Sequence, residues 1–160
     1  MLRIGLGRDF HRLGAGRKFL LGGVEIPFTK GELGHSDGDV LTHAVIDALL
    51  GAAALGDIGE LYPPAESAWK DAHSLDLLKG AWHRVKNHGW SLVNLDCVVT
   101  CEQPKILPHR DAICRSLAQA LEVDSGRVFV KGKTNESTGP LGTGEAVEAL
   151  AVCLLESSKQ

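Results

Sequence analysis

The chain has 160 residues and a net charge of -3, with 44% apolar and 23% charged side chains. That is the length of one domain and the composition of a soluble globular one, enough to bury roughly 70% of the surface its unfolded chain exposes. No run approaches the ~18 apolar residues of a membrane span, Met1 to Leu6 lack the features of a signal or transit peptide, and a mildly acidic chain argues against nucleic acid as the main partner.

Residues 2–7 read as a first strand. Residues 17–27 read as a hairpin, with Lys18-Phe19-Leu20-Leu21 and Val24-Glu25-Ile26 flanking a turn at Gly22-Gly23. Over 38–55, Val40, Leu41, Ala44, Val45, Ala48 and Leu49 recur at helical spacing, with Ser36 and Asp37 as cap candidates and Gly56 as the stop. A second helix is expected over 73–88, carrying Leu75, Leu78, Trp82 and Val85 on one face. Residues 91–101 read as a strand, Pro108 opens a third helix that ends near Leu121, and residues 127–133 alternate as a strand. Residues 145–155 suit either a helix, through Ala146, Val147, Ala149 and Leu150, or a buried strand, through Val152-Cys153-Leu154-Leu155. The order predicts one α/β domain over residues 1–160, with helices on one face of a mixed sheet. Aromatics are only 5%, so Val, Ile, Leu and Ala must supply the core. Cys97, Cys101, Cys114 and Cys153 form no C-x-x-C pair and read as buried free thiols in a reducing cytoplasm.

Polar residues cluster where composition does not require them. In Gly7-Arg8-Asp9-Phe10-His11, Asp9 and His11 are two apart and share a face of an extended segment. The pair is either an ordinary strand end or part of a metal site. His43 lies four residues after Asp39 and four before Asp47, on a polar stripe of an otherwise apolar helix. Two histidines and one carboxylate with an open fourth position is the pattern of a catalytic zinc. Asp57, between Gly56 and Gly59, is either a turn residue or a group for substrate hydroxyls. Lys131-Gly132-Lys133-Thr134-Asn135-Glu136 leads into Gly139, Gly142 and Gly144. This is either a surface loop or a cradle for phosphate oxygens, with Glu136 offering oxygen to Mg²⁺. It lacks P-loop spacing.

Taken together, these segments resemble the 2-C-methyl-D-erythritol 2,4-cyclodiphosphate synthase family. The likeness is carried by Asp9-x-His11, Leu21-Gly22-Gly23-Val24-x-Ile26-Pro27 and His35-Ser36-Asp37-Gly38-Asp39-Val40. It continues through His43, Asp47 to Ala53, Leu55-Gly56-Asp57-Ile58-Gly59, Pro104-Lys105, Pro108-His109, and Lys131 with Thr134 and Glu136. The run from His35 to Gly59 is long and specific, and the likeness spans essentially the whole chain.

The resemblance implies that the 2-phosphate of a cytidine diphosphate ester attacks the β-phosphorus and releases CMP, with no protein nucleophile. Catalysis is then positioning and charge neutralisation. It further implies that Asp9, His11 and His43 hold Zn²⁺, and that Glu136 holds a second cation, Mg²⁺ or Mn²⁺. His35, Thr134 and Glu136 are the implied catalytic residues. His35 and Ser36 belong to a loop closing near the phosphates, and Asp57 with Gly59 would bind methylerythritol hydroxyls. Lys105, Ile106, Leu107, Lys133, Thr134 and Asn135 would surround the cytidine and its phosphates. The implied fold is a ferredoxin-like two-layer sandwich in a cytoplasmic homotrimer. Its sheets face the threefold axis and its active sites lie between subunits, which tips residues 145–155 toward strand.

Three features depart from the family. The Tyr62-Pro63-Pro64-Ala65-Glu66-Ser67 segment lacks the usual Asp-rich stretch, Lys133 stands where Thr is usual, and Thr143 replaces an Arg. That Arg, with the residue matching Glu145, lines an axial cavity, so axial binding of isoprenoid diphosphates is expected to be weak or absent. A zinc phosphoesterase and a non-catalytic nucleotide- or isoprenoid-binding trimer are the alternatives. His73, His83, His88 and His109 are expected to have no catalytic role, and Trp69, Trp82 and Trp90 to anchor the core or an interface.

Overall fold

Strand alternation runs further along the first segment than its glycines suggest. β1 (Leu2–Gly14) buries Gly5 and Gly7 and sets Asp9 and His11 on the same face, while Leu2, Ile4 and Leu6 point the other way into solvent. The strand expected over 2–7 therefore continues to Gly14, because the polar residues after Gly7 keep the period of two. This computed structural model describes residues 1–34, 36–63, 65–69 and 71–157. His35, Pro64 of the atypical loop and residues 158–160 lie outside the described residues.

The ladder that holds β1 is provided by two partners. β7 (Ala146–Ser157) pairs antiparallel with it from Leu2 to Arg12, and β4 (Gly31–Leu33) pairs from Arg12 to Gly14. With β5 (Trp90–Thr100) and β6 (Val128–Lys133), these strands form a mixed sheet of order β4-β1-β7-β5-β6, in which only β5 and β6 run parallel. β7 settles the ambiguous C-terminal segment as a strand. Ala149, Ala151, Cys153 and Leu155 are buried on one face, while Leu150, Val152 and Leu154 lie on the other. A small hairpin, β2 (Phe19–Leu21) and β3 (Val24–Ile26), turns at Gly22 and Gly23 as expected. Both glycines have positive φ, 57° and 74°, which a two-residue hairpin turn favours and other residues resist.

α1 (Val40–Ala53) lies on β1 and β7 and is buried nearly all round. Its contact with β1 is backbone on backbone: a Cβ added at Gly7 would sit 1.9 Å from the Ala44 carbonyl oxygen. Its cap is not Ser36 or Asp37 but Asp39, whose Oδ1 accepts from Thr42 N–H at 2.9 Å. The same carboxylate accepts from Gly22 N–H at 3.1 Å and Gly23 N–H at 2.6 Å, so tertiary partners decide which residue caps. The helix ends at Ala54, in a left-handed conformation, two residues before the expected Gly56. A single turn, α2 (Ile58–Leu61), follows with Asp57 as its cap. α3 (Ser74–Asn87) matches the second expected helix, and α4 (Arg110–Ala120) the third. Pro108 sits in a 3-10 turn (Leu107–His109) that precedes α4 rather than inside it. A further turn, α5 (Gly139–Gly142), lies in the glycine-rich loop. None of the described helices is long and apolar enough to cross a membrane.

The core is aliphatic: Leu41, Ile46, Leu49 and Leu50 of α1 join Leu78, Leu95, Ile113 and Leu117, all fully buried. Trp82 belongs to it, while Trp69 and Trp90 are half-buried and pack against it. His109 occupies the cap position of α4, but its side chain makes no cap bond. All four cysteines are free and buried, and burial pushes the Cys101 thiol up to about 12 and that of Cys153 to about 11.

Glu32 of β4 is fully buried beside the start of α1. Its Oε2 accepts from Val40 N–H at 3.1 Å, and its Oε1 has no partner among the described residues. Burial, with the nearby Asp39 charge adding, pushes its carboxyl well above the ordinary 4.5. The folded chain thus keeps a proton that the unfolded chain releases near pH 4.5. Above that pH the unfolded state binds fewer protons, so stability falls as pH rises toward the folded-state value, by up to ~1.4 kcal/mol per unit for one proton. Glu32→Gln cannot ionise, so its urea midpoint should decline less than the native chain's between about pH 5 and pH 8. Parallel declines in the two proteins would show that Glu32 does not hold the proton.

Candidate functional site

Because Gly5 and Gly7 let α1 sit close on β1, the next two residues on that strand face, Asp9 and His11, come against the helix where His43 projects. Asp9 Oδ2 lies 3.1 Å from His11 Nε2 and 3.0 Å from His43 Nδ1, and one ligand atom from each residue falls within 4.8 Å of the others. The two imidazoles meet edge to face, their centroids 5.2 Å apart.

The ring nitrogens have distinct tasks. His11 Nδ1 lies 2.6 Å from the Gly38 carbonyl, which can only accept, so Nδ1 carries a hydrogen and Nε2 is the nitrogen turned toward Asp9 and the place for a cation. His43 presents Nδ1 to Asp9, and its Nε2 lies 2.9 Å from Ser36 Oγ and 3.0 Å from Ser74 Oγ. Burial by itself would raise the Asp9 carboxyl, but hydrogen bonds and charge from His11 and His43 hold it well below the usual carboxylate range. Burial would likewise lower His11, and Asp9 outweighs it to raise that ring above its ordinary 6.5. A cluster so mutually polarised fits a divalent cation: three ligands of nitrogen and oxygen type, one tautomer fixed by a carbonyl, on a half-buried floor.

This cluster floors a cleft of about 380 Å³. Ser36, Asp47 and Gly59 line it, and Tyr62 and Trp69 form a wall with their rings edge to face at 4.9 Å. Asp57 stands next to it, with Oδ1 accepting from Glu60 N–H at 2.8 Å. Asp47 accepts from Ile58 N–H at 2.8 Å and so ties α2 to α1, and burial raises its carboxyl.

The residues expected around the cytidine gather elsewhere. Lys105, Ile106, Leu107, Lys133 and Thr134 line a groove of about 200 Å³ together with Cys101, Pro104 and Arg110. A Cβ at Gly132 would fall 2.7 Å from Ile106 Cβ, so this glycine lets the 104–107 loop lie on the end of β6. Thr134 Oγ1 donates to Glu136 Oε1 at 2.8 Å, and Asn135 donates to the Thr138 carbonyl at 2.7 Å. Glu136 is left-handed, with φ 50°, in a loop folded back on itself.

The structure therefore brings Asp9, His11, His43, Ser36 and Gly59 to one cleft, and Lys105, Ile106, Leu107, Lys133 and Thr134 to one groove. The two share no lining residue. β1 and β6 are three strand steps apart in the sheet, roughly 14 Å at ordinary strand spacing. Sequence reasoning missed Ser74 and the aromatic wall. Ser74 lies thirty-one positions from His43, beyond any local pattern. Ser36 sits behind His43, where its hydroxyl serves the ring.

Comparison with known proteins bears on both regions. A family model described as the YgbB family matches residues 2–156. The 2-C-methyl-D-erythritol 2,4-cyclodiphosphate synthase of Treponema denticola is 53% identical over 154 residues, 96% of each chain. The solved bifunctional IspDF from Campylobacter jejuni superposes with a TM-score of 0.95 at 41% identity. That match covers 98% of this chain and 42% of the larger protein, so this chain spans less than half of it. A CDP-bound 2C-methyl-D-erythritol-2,4-cyclodiphosphate synthase superposes with a TM-score of 0.88 at 40% identity, over 96% of this chain and 100% of that one.

Proposed function

The chain belongs to the YgbB family and catalyses the reaction its relatives are named for, and we propose that the Asp9-His11-His43 cleft and the Lys105–Thr134 groove hold opposite ends of the substrate. The enzyme converts 4-diphosphocytidyl-2-C-methyl-D-erythritol 2-phosphate to 2-C-methyl-D-erythritol 2,4-cyclodiphosphate, releasing CMP. It is a phosphorus–oxygen lyase of the isoprenoid MEP pathway. The observation that carries the site assignment is the convergence of three ligand atoms within 4.8 Å at the floor of the cleft.

Asp9 Oδ2, His11 Nε2 and His43 Nδ1 would hold Zn²⁺, and Glu136 would hold Mg²⁺ or Mn²⁺. A divalent cation at such a site neutralises diphosphate charge and orients its oxygens for in-line displacement. The protein's own task is to bring the 2-phosphate and the β-phosphorus together, since the substrate supplies its nucleophile. Asp57 and Gly59 would receive the methylerythritol hydroxyls beside the metal cluster. The 104–107 backbone would frame the cytosine, with Lys105 and Thr134 at the phosphates. Binding of CDP by a relative supports a nucleotide in that groove. Thr134 and Glu136, hydrogen-bonded to each other, stand at the groove's end, where developing charge on the phosphates needs donors. His35, which lies outside the described residues, would contact the phosphates, and Ser36 would act through His43. Lys133 adds a cation on this side of the groove.

A homotrimer of ferredoxin-like sandwiches is the assembly this arrangement fits. Cleft and groove of one chain lie on strands β1 and β6, too far apart for one diphosphate to bridge with both ends seated, so each cleft would face a neighbour's groove. The sheet face away from the helices exposes Leu2, Ile4, Leu6, Phe10, Phe129 and Val152, Ile4 to 74%, beside the Arg8–Glu148 and Lys131–Asp96 ion pairs. A face of that kind is buried in assemblies rather than left in water. Thr143 Oγ1 donates to Glu145 Oε1 at 3.1 Å, leaving no guanidinium there for an axial diphosphate. Free buried thiols suit a cytoplasmic location.

The test is product identity. Purified enzyme with the cytidine substrate, Zn²⁺ and Mg²⁺ should release CMP and give the paired ³¹P resonances of a cyclic diphosphate. Chelation should stop turnover and zinc restore it. An acyclic phosphate product would point instead to a hydrolase, and turnover indifferent to chelation would refute the metal assignment.

A further inference from the structure

The polar groups behind His43 form a chain that the reaction itself does not use. Ser74, the first residue of α3, is fully buried, and its Oγ lies 3.0 Å from His43 Nε2. On its other side the Ser74 hydroxyl donates to Asp37 Oδ1 in a short hydrogen bond. Asp37 Oδ2 accepts from Ser74 N–H at 2.9 Å, and Oδ1 also accepts from Asp39 N–H at 3.3 Å. Three donors thus converge on one carboxylate.

This geometry fixes the direction of the Ser74 hydroxyl and of the hydrogen it meets. A carboxylate taking three donors can only accept, so the Ser74 hydroxyl hydrogen points to Asp37. Ser74 Oγ then presents only lone pairs to the imidazole, and His43 Nε2 must carry a ring hydrogen. Nδ1 is the nitrogen left for Asp9 and the ligand cluster; facing a carboxylate that can only accept, it carries a hydrogen until a cation takes that hydrogen's place. Ser36 Oγ, 2.9 Å from the same Nε2, does not fix a direction, because its own hydroxyl hydrogen is free to turn.

We propose that Ser74, oriented by Asp37, is a positioning residue that locks His43 in its metal-binding tautomer. The inference rests on the reading of Asp9, His11 and His43 as metal ligands. Partners behind ligating histidines typically change metal affinity by about 10–100-fold. Here the partner comes from a different helix, so docking of α3 against α1 is coupled to the readiness of the site.

Two variants test the role. Ser74→Ala removes the hydroxyl while keeping the backbone N–H that Asp37 accepts. Asp37→Asn preserves shape, but its amide can donate to Ser74 Oγ and let the hydroxyl turn toward Nε2. Zinc affinity, measured by competition with a chromophoric chelator, should fall by about 10–100-fold in both variants. In the zinc-loaded proteins, the His43 Nε2 hydrogen should be protected from exchange with solvent in the native chain and exchange faster in each variant. If either variant unfolds, the other still decides. Unchanged zinc affinity and unchanged exchange of the Nε2 hydrogen in a folded variant overturn the role of Ser74 while leaving the metal site standing. No zinc uptake by the native chain overturns the metal site and the role together.

Discussion

Turnover should fall by about a thousandfold or more when His43 is replaced with alanine, with little change in the fold. A metal at a phosphoryl-transfer site supplies several kcal/mol of charge stabilisation, and each 1.36 kcal/mol is about tenfold in rate. His43 is one of the three residues proposed to hold the cation, and its loss would leave Asp9 and His11 as a two-point site of poor affinity. The helix that carries it does not depend on it, because α1 is held by Val40, Leu41, Val45, Leu49 and Leu50, all fully buried. CMP release, zinc content and the thermal midpoint should be measured together. Full activity with full zinc would remove His43 from the ligand set. Activity lost together with the fold would leave the ligand assignment unsupported by this variant, and His43→Gln, which keeps the side chain's bulk, would then have to show zinc loss in a folded protein.

The second large effect belongs to a residue with no side chain. In Gly7→Ala the new Cβ would sit 1.9 Å from the Ala44 carbonyl oxygen and 2.7 Å from Ala48 N, and both atoms are helix backbone. No rotamer change relieves such a contact, so α1 must lift from β1 by more than an ångström. Overpacking of this kind costs about 3 kcal/mol or more, which lowers the melting temperature of a chain this size by roughly 6–12 °C. Since His43 adjoins Ala44 in sequence, the displaced helix also carries a ligand away from Asp9 and His11. Zinc affinity should therefore fall with stability. Gly51→Ala is the matching control on the same helix: nothing lies within 4 Å of its added Cβ, so it should raise the midpoint modestly. A Gly7→Ala protein as stable as the native chain would mean that α1 does not rest on β1 as described.

Why some of this was legible in the sequence, and some not, follows from the range of each interaction. The Gly22-Gly23 hairpin, α3 and the body of α1 are local matters of turn chemistry and periodicity, and they stand where the sequence places them. The Asp9-His11-His43 cluster was legible because Asp9 and His11 share a strand face and His43 lies on a polar helix stripe, which together make a two-histidine, one-carboxylate pattern; the resemblance added what the cluster would hold. β1 was cut short at residue 7 because Asp9 and His11 put polar residues on the buried face, where alternation normally shows apolar ones. β4 has only three residues and draws its register from β1, so nothing local announces it. Asp39 rather than Ser36 or Asp37 caps α1 because its carboxylate also meets two amides from a hairpin sixteen residues upstream. Ser74 was invisible for the same reason: its partner is the back of His43, on another helix.

The Asp39 carboxylate has one more consequence. A two-stranded ribbon such as β2–β3 is marginal by itself in water. Here the amides at its turn, Gly22 and Gly23, are held by the same buried carboxylate that starts α1. The ribbon therefore cannot fray from its turn unless the first turn of the helix gives way too. The slow clock that governs opening of the core also governs this small surface element, and its amide protons should exchange with solvent on the helix's timescale rather than a loop's.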